Sequence, residues 1–178
     1  DLALFATVQV AGLTTTQIAV MSTTQLGSLG TTQIRALSTA QLSGLTTLQL
    51  GNLSVTQLLG LGTAQIRALT TTQARALNPA LFAALTETQV KGLTSSQLAG
   101  LTTTQLGNME ATDIAALSTA QFKGLGSEQI GSLSTTQVAG LSLTQVAGLS
   151  ESQIKAMTAT QAGGLSAAQM QSLTTLQL

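Results

Sequence analysis

Every eighth residue from Gln9 to Gln177 belongs to one column, in register and without insertion, and 20 of its 22 positions are Gln; Leu81 and Asp113 are the exceptions. A period this short and this regular restricts the chain to architectures in which one local structure recurs many times. The following column, Val10 to Leu178, is apolar at all 22 positions. The column from Leu13 to Leu173 is Leu except at Met21, Met109 and Met157, so each octad supplies two large apolar groups.

The residue after that Leu is Ser or Thr in 16 of 21 octads, with Gly30, Gly62, Gly126, Asn78 and Glu110 completing the column. Ser or Thr followed three positions later by Gln is the capping box, in which the hydroxyl accepts from the third helical N–H and the Gln reaches back to the cap. Thr14 with Gln17, Ser22 with Gln25 and Ser38 with Gln41 are such pairs. The Leu before the cap and the apolar residue after the Gln, Leu13 and Ile18 for instance, stand where a hydrophobic staple requires them. In "NPALFAAL" at 78–85 the Gln is lost, yet Asn78 takes the cap position and Pro79 the first helical position. Proline is tolerated there because that N–H has no partner within the helix.

The charges follow the same frame. Arg35, Arg67, Arg75, Lys91, Lys123 and Lys155 share one column, late in each expected helix. Glu87, Glu110, Asp113, Glu128 and Glu151 fall between the cap and the third helical residue, leaving only Asp1 outside the scheme. Both placements complement the helix dipole.

The column before each Leu holds Gly, Ala, Ser or Asn except at Val20. That composition suits a helix exit with positive φ or a close approach of neighbouring backbones. Six of its positions are Ala, so positive φ is not obligatory.

One continuous helix would rotate its apolar stripe by about 80° per octad, leaving no face that a partner could cover. A β-solenoid is the alternative, since Thr, Ile and Val suit strands and stacked Gln forms ladders, but the two apolar columns are five apart and fall on opposite faces of a straight strand. The expected fold is mainly α: a solenoid of very short capped helices, one per octapeptide, over a single region 1–178 of about 22 repeats. Helices of one or two turns are unstable alone, so each must bury its apolar columns against neighbours. Ile18, Leu29, Ile34, Leu37, Leu45, Leu69, Leu85, Leu117 and Leu141 are the expected core. The Gln column is expected to be buried and hydrogen-bonded, because stacked carboxylates would repel and resist desolvation. The number of octads per turn is not fixed by the pattern, although Arg35 and Arg67, and Lys91, Lys123 and Lys155, recur at a weak 32-residue period.

With no Cys and no His, the chain lacks the usual thiol nucleophiles, metal ligands and near-neutral proton carriers. Serine and threonine without a base and an orienting group do not make a catalytic site, so no enzyme activity and no cofactor are expected. Met21, Met109, Met157 and Met170 stand in apolar columns and read as core. Six acids against six bases give a net charge of zero, which offers nothing to nucleic acid or an anionic membrane. The longest apolar runs, such as "ALFAAL" at 80–85, fall far below the roughly 20 residues of a membrane span. A chain beginning with Asp1 and lacking a leader pattern reads as a processed product or an excerpt, part of a longer array or assembly.

The octads "LTTTQLGNM" at 101–109 and "LSTTQVAGL" at 133–141 resemble the tandem repeat tracts of very large bacterial secreted or surface proteins described as adhesins, haemagglutinins or haem-utilisation proteins. That resemblance implies an extracellular structural array, although no His, Cys or Tyr ligand for haem occurs here. The expected function is a scaffold repeat that self-assembles into a filament, sheath or adhesin stalk, its partners being further copies of itself. The end segments "DLALFATVQVAGL" and "SLTTLQL" lack polar capping repeats and are candidate docking surfaces. The alternative is a module that binds glycans, a matrix or ice through its repeated Thr residues.

Overall fold

The computed structural model describes residues 4–174 and Gln177; the parts of the end segments that fall on other positions, Asp1 among them, lie outside the described residues. Among the described residues there are 21 helices and no strand, from α1 (Thr7–Ala11) to α21 (Ala167–Gln171), one per octad. The helical solenoid reading is therefore the correct one of the two, and the β-solenoid is excluded.

Each helix is five or six residues long because the octad encodes both its ends. Thr14 opens α2 (Thr15–Ala19) with extended backbone, φ −74° and ψ 158°, and the helix closes at Val20. The N–H of Val20 bonds back to the Thr16 carbonyl at 3.3 Å and that of Met21 to the Ile18 carbonyl at 3.1 Å, the latter the tighter winding usual in a last turn. The chain then leaves through the Leu-column residue and reaches the next cap.

The chain divides into two compact units, Asp1–Leu93 and Thr94–Leu178. Within the first, helices pack three apart: α5 (Thr39–Ser43) lies against α8 (Thr63–Ala68), and α8 against α11 (Glu87–Gly92). The second unit repeats the arrangement, α12 (Ser95–Gly100) on α15 (Thr119–Lys123) and α16 (Ser127–Gly131) on α19 (Glu151–Lys155). Within each unit these helices thus rest turn on turn, the stacking by which a solenoid gives marginal helices a shared core.

The two apolar columns make that core. Ile18, Leu29, Ile34, Leu37, Leu45, Leu69, Leu85, Leu117 and Leu141 are all buried, as are Phe82 and Phe122, which replace smaller residues in the column after the Gln. At the start of the chain Leu13 and Met21 are half-buried, and at its end Ile154, Met157, Leu165 and Leu173 are half-buried too. Fewer turns surround these residues.

The column of small residues packs closely and does not supply left-handed backbone. No described residue has positive φ. A methyl added at Gly60 would stand 2.6 Å from Thr31 Cγ2 and 3.0 Å from the Thr31 carbonyl oxygen. Gly92 faces Thr63, and Gly124 faces Ser95, in the same way. The helix exit therefore crosses the first helical residue of an earlier turn, and a bulky side chain would hold the turns apart. Val20, the exception in sequence, meets no such residue among those described and is 78% exposed.

Candidate functional site

The recurring polar centre of each octad is its glutamine. In the first octads the pairs are complete: Thr14 Oγ1 accepts from the Gln17 N–H at 3.1 Å while the Thr14 N–H donates to Gln17 Oε1 at 2.8 Å. Ser22 and Gln25 exchange the same bonds at 3.1 and 2.8 Å, and Ser38 and Gln41 at 3.2 and 2.7 Å. Asn78 Oδ1 accepts from the Leu81 N–H at 2.9 Å, with Pro79 opening α10 (Pro79–Ala83). At Gly30 only half the box remains, the Gly30 N–H donating to Gln33 Oε1 at 2.6 Å.

Capping uses the oxygen of the glutamine; its nitrogen has a second, distant role. Gln57 Nε2 donates to the carbonyls of Leu26 at 3.0 Å, Gly27 at 3.3 Å and Leu29 at 2.9 Å. These atoms form the C-terminal end of α3 (Thr23–Gly27), so the amide of α7 (Val55–Leu59) closes the helix four before it. Gln49 does the same to Ile18 and Met21, and Gln73 to Leu42 and Leu45. In the second unit Gln145 reaches Ile114, Ala115 and Leu117 at 3.0, 3.4 and 2.9 Å.

The shortest span of these bonds, 28 residues, is three and a half octads. Within a unit, α7 packs against α4 (Thr31–Arg35), the third helix before it, while its glutamine reaches α3, the fourth, so successive turns are staggered by half an octad. The 32-residue recurrence of the basic column approximates this turn but does not equal it.

The last carbonyls of a helix have no partner inside it, and leaving them unpaired in a buried position is costly. An amide carries two N–H groups on one nitrogen and can serve such a cluster, sharing protons between neighbouring acceptors. Glutamate could cap the helix start equally well but would turn a negative oxygen toward the carbonyls. Gln33, Gln41, Gln49 and Gln57 are buried, whereas Gln9, Gln17 and Gln25, for which no residue 28 positions earlier is described, are exposed. No buried side-chain nitrogen or oxygen is left without a partner among the described residues.

The two departures from Gln differ. At Leu81 the distant amide is missing, and Asn78 Nδ2 makes one long contact with the Gly51 carbonyl at 3.5 Å. Asp113 keeps its place in the column and is buried.

The cations and the glutamates lie on the surface. All six cations are exposed, each in the last turn of its helix, and Lys91 and Lys155 pair with Glu87 and Glu151 one helical turn earlier. A groove beside Lys123, Gly126, Ser127 and Gly148 opens in the second unit; Gln153 at its edge is already committed to the Leu125 carbonyl at 2.7 Å. Among the described residues no group of three His, Cys, Asp or Glu could hold a metal ion, and no helix is long and apolar enough to cross a membrane.

The capping role of Gln could be read from spacing. The distant role could not, because the acceptors are main-chain atoms that every sequence possesses. The only trace in the sequence is the choice of Gln over Glu at a position where either would cap.

No curated protein matches the chain. A family model described as the ALTTAQ repeat matches residues 23–55 and 106–143. Both stretches contain "ALSTAQ", at 36–41 and 116–121, which runs from the small residue before the Leu to the capping Gln. The chain is thus a tandem repeat array of short helices, similar over these two stretches to the ALTTAQ repeat.

Proposed function

We propose that this chain is a non-enzymatic structural repeat protein of the cell exterior, whose copies associate into a filament, sheath or adhesin stalk. The observation that carries the reading is the glutamine ladder: the strongest polar group of each octad is spent on joining one turn to another. A residue so committed is not available to a ligand. The remaining surface is largely Ser, Thr and small residues, and the six acids and six bases of the whole sequence sum to zero, which gives copies little reason to repel one another. The extracellular setting rests on the resemblance to repeat tracts of large bacterial surface proteins.

Sedimentation velocity and electron microscopy across a concentration series test the proposal. Polymers that lengthen with concentration are expected. A protein that stays monomeric and gives a glycan-array or thermal-hysteresis signal would replace the scaffold with a binding module acting through the Thr residues.

A further inference from the structure

We infer that the groove of the second unit binds an acidic sugar, a uronate or a sulfated hexose of a polysaccharide, through Lys123 and the hydroxyls of Ser127, Ser150 and Ser152. The inference goes beyond the scaffold reading and does not require self-assembly. The groove runs between two turns, α15 and α16 on one side and α18 (Leu143–Ala147) and α19 on the other, with octads described before and after both. Its volume of about 560 Å³ lies in the usual range of small-ligand sites.

Sequence sets this place apart from the rest of the array. Of the six cations, only Lys123 is followed three residues later by a glycine at the cap, Gly126; the others precede Ser38, Thr70, Asn78, Thr94 and Thr158. No side chain fills the groove at Gly126, and Gly148 leaves a second opening. A methyl on Gly148 would stand 3.0 Å from Lys123 Cε, so the stem of the lysine lies along that glycine. Lys91 and Lys155 are neutralised by Glu87 and Glu151, but the residue four before Lys123 is Thr119, and no carboxylate pairs with Lys123 among the described residues.

The hydroxyls complete the set. Ser150 Oγ accepts from the Gln153 N–H at 3.2 Å and lies 3.0 Å from Ser152 Oγ. The bond between the two serines uses one hydroxyl proton and leaves the other for a ligand. Ser127 is half-buried, with its hydroxyl uncommitted among the described residues. Of the neighbouring acids, Glu151 is held by Lys155 and Glu128 does not line the groove. An ammonium only donates, whereas hydroxyls donate and accept, so the matching ligand carries an anionic oxygen group for Lys123 and several hydroxyls of its own. A small inorganic anion would meet the charge and leave most of the groove empty.

Calorimetric titration of the full chain with tetragalacturonate, a sulfated tetrasaccharide, maltotetraose and inorganic sulfate tests the site, with amide chemical shifts to locate it. At least one acidic sugar should bind and shift Lys123, Ser127 and Ser152; maltotetraose and sulfate should not bind at the same concentration. Lys123→Gln should weaken that binding about tenfold or more. Arg35→Gln removes the same charge from the first unit and should leave it unchanged. Gly126→Thr supplies the missing cap hydroxyl at a backbone already extended, φ −75° and ψ 162°, while placing a side chain in the groove. It should raise the melting temperature and weaken binding together, a pairing that misfolding cannot produce. The inference is overturned if neither acidic sugar shifts the groove, if maltotetraose or sulfate binds as tightly, or if Arg35→Gln costs as much as Lys123→Gln. None of these results bears on self-assembly, which sedimentation reads separately.

Discussion

Gln57 Nε2 lies 2.9 Å from the carbonyl oxygen of Leu29, 28 residues earlier, while Gln57 Oε1 accepts the N–H of its own cap residue Ser54 at 2.9 Å. One side chain thus begins one helix and finishes another. The fold needs this economy because a five-residue helix has more unpaired main-chain groups than paired ones. Charged groups could satisfy them only at the cost of burial, and water is excluded by the apolar columns. The neutral amide reaches both ends at once.

Replacing Gln57 by Glu should therefore destabilise the first unit, although the capping oxygen is retained. The Leu26 and Leu29 carbonyls lose their donor and face a carboxylate, for an expected loss of about 1–3 kcal/mol in urea unfolding. Gln17→Glu, made where the nitrogen is exposed, should change stability by less than about 0.5 kcal/mol.

Glycine substitutions should separate by position. Gly60→Val drives a branched side chain into Thr31 and its carbonyl, and should cost about 1–3 kcal/mol. Gly27→Ala meets nothing within 4 Å at the end of α3 and should gain about 0.5–1 kcal/mol by restricting the unfolded chain. Thermal unfolding of the two variants reads the opposite signs.

Caps should respond in both directions. Thr70→Ala removes the hydroxyl that accepts from the Gln73 N–H at 3.1 Å and should cost about 1 kcal/mol. Gly62→Ser supplies the hydroxyl its octad lacks, at a backbone already extended at φ −80° and ψ 167°, and should raise the melting temperature.

Core and surface leucines should differ sharply. Leu58 is fully buried, and Leu58→Ala should cost about 2–5 kcal/mol in denaturant unfolding. Leu48, at a helical position and 68% exposed, should tolerate Ala within about 0.5 kcal/mol.

Local structure was legible in the sequence because every octad states its own helix: cap at Ser38, return at Gln41, apolar anchors at Leu37 and Leu42. Asn78 and Pro79 made the frame readable even where Gln was absent. The stacking of turns was not legible, since near-identical octads carry no mark of which one lies beneath which. Arg35 and Arg67 suggested 32 residues, yet Gln65 reaches back to Leu37 and Arg35, 28 and 30 residues away. The small column left two explanations open, and only the approach of Gly60 to Thr31 without positive φ decides between them. Burial of the Gln column was an inference from charge, but which glutamines are covered, Gln41 and Gln49, and which are exposed, Gln17 and Gln25, depends on the stacking of turns, which no local pattern records.

The central claim is that glutamine amides hold turns together across 28 residues, and side-chain amide hydrogen exchange measures it directly. In dilute, monomeric protein the Nε2 protons of Gln57 and Gln73 should exchange at least a hundredfold more slowly than those of Gln17, whose nitrogen faces water. Exchange of all three at the rate of a free glutamine would contradict the ladder and the turn that it defines.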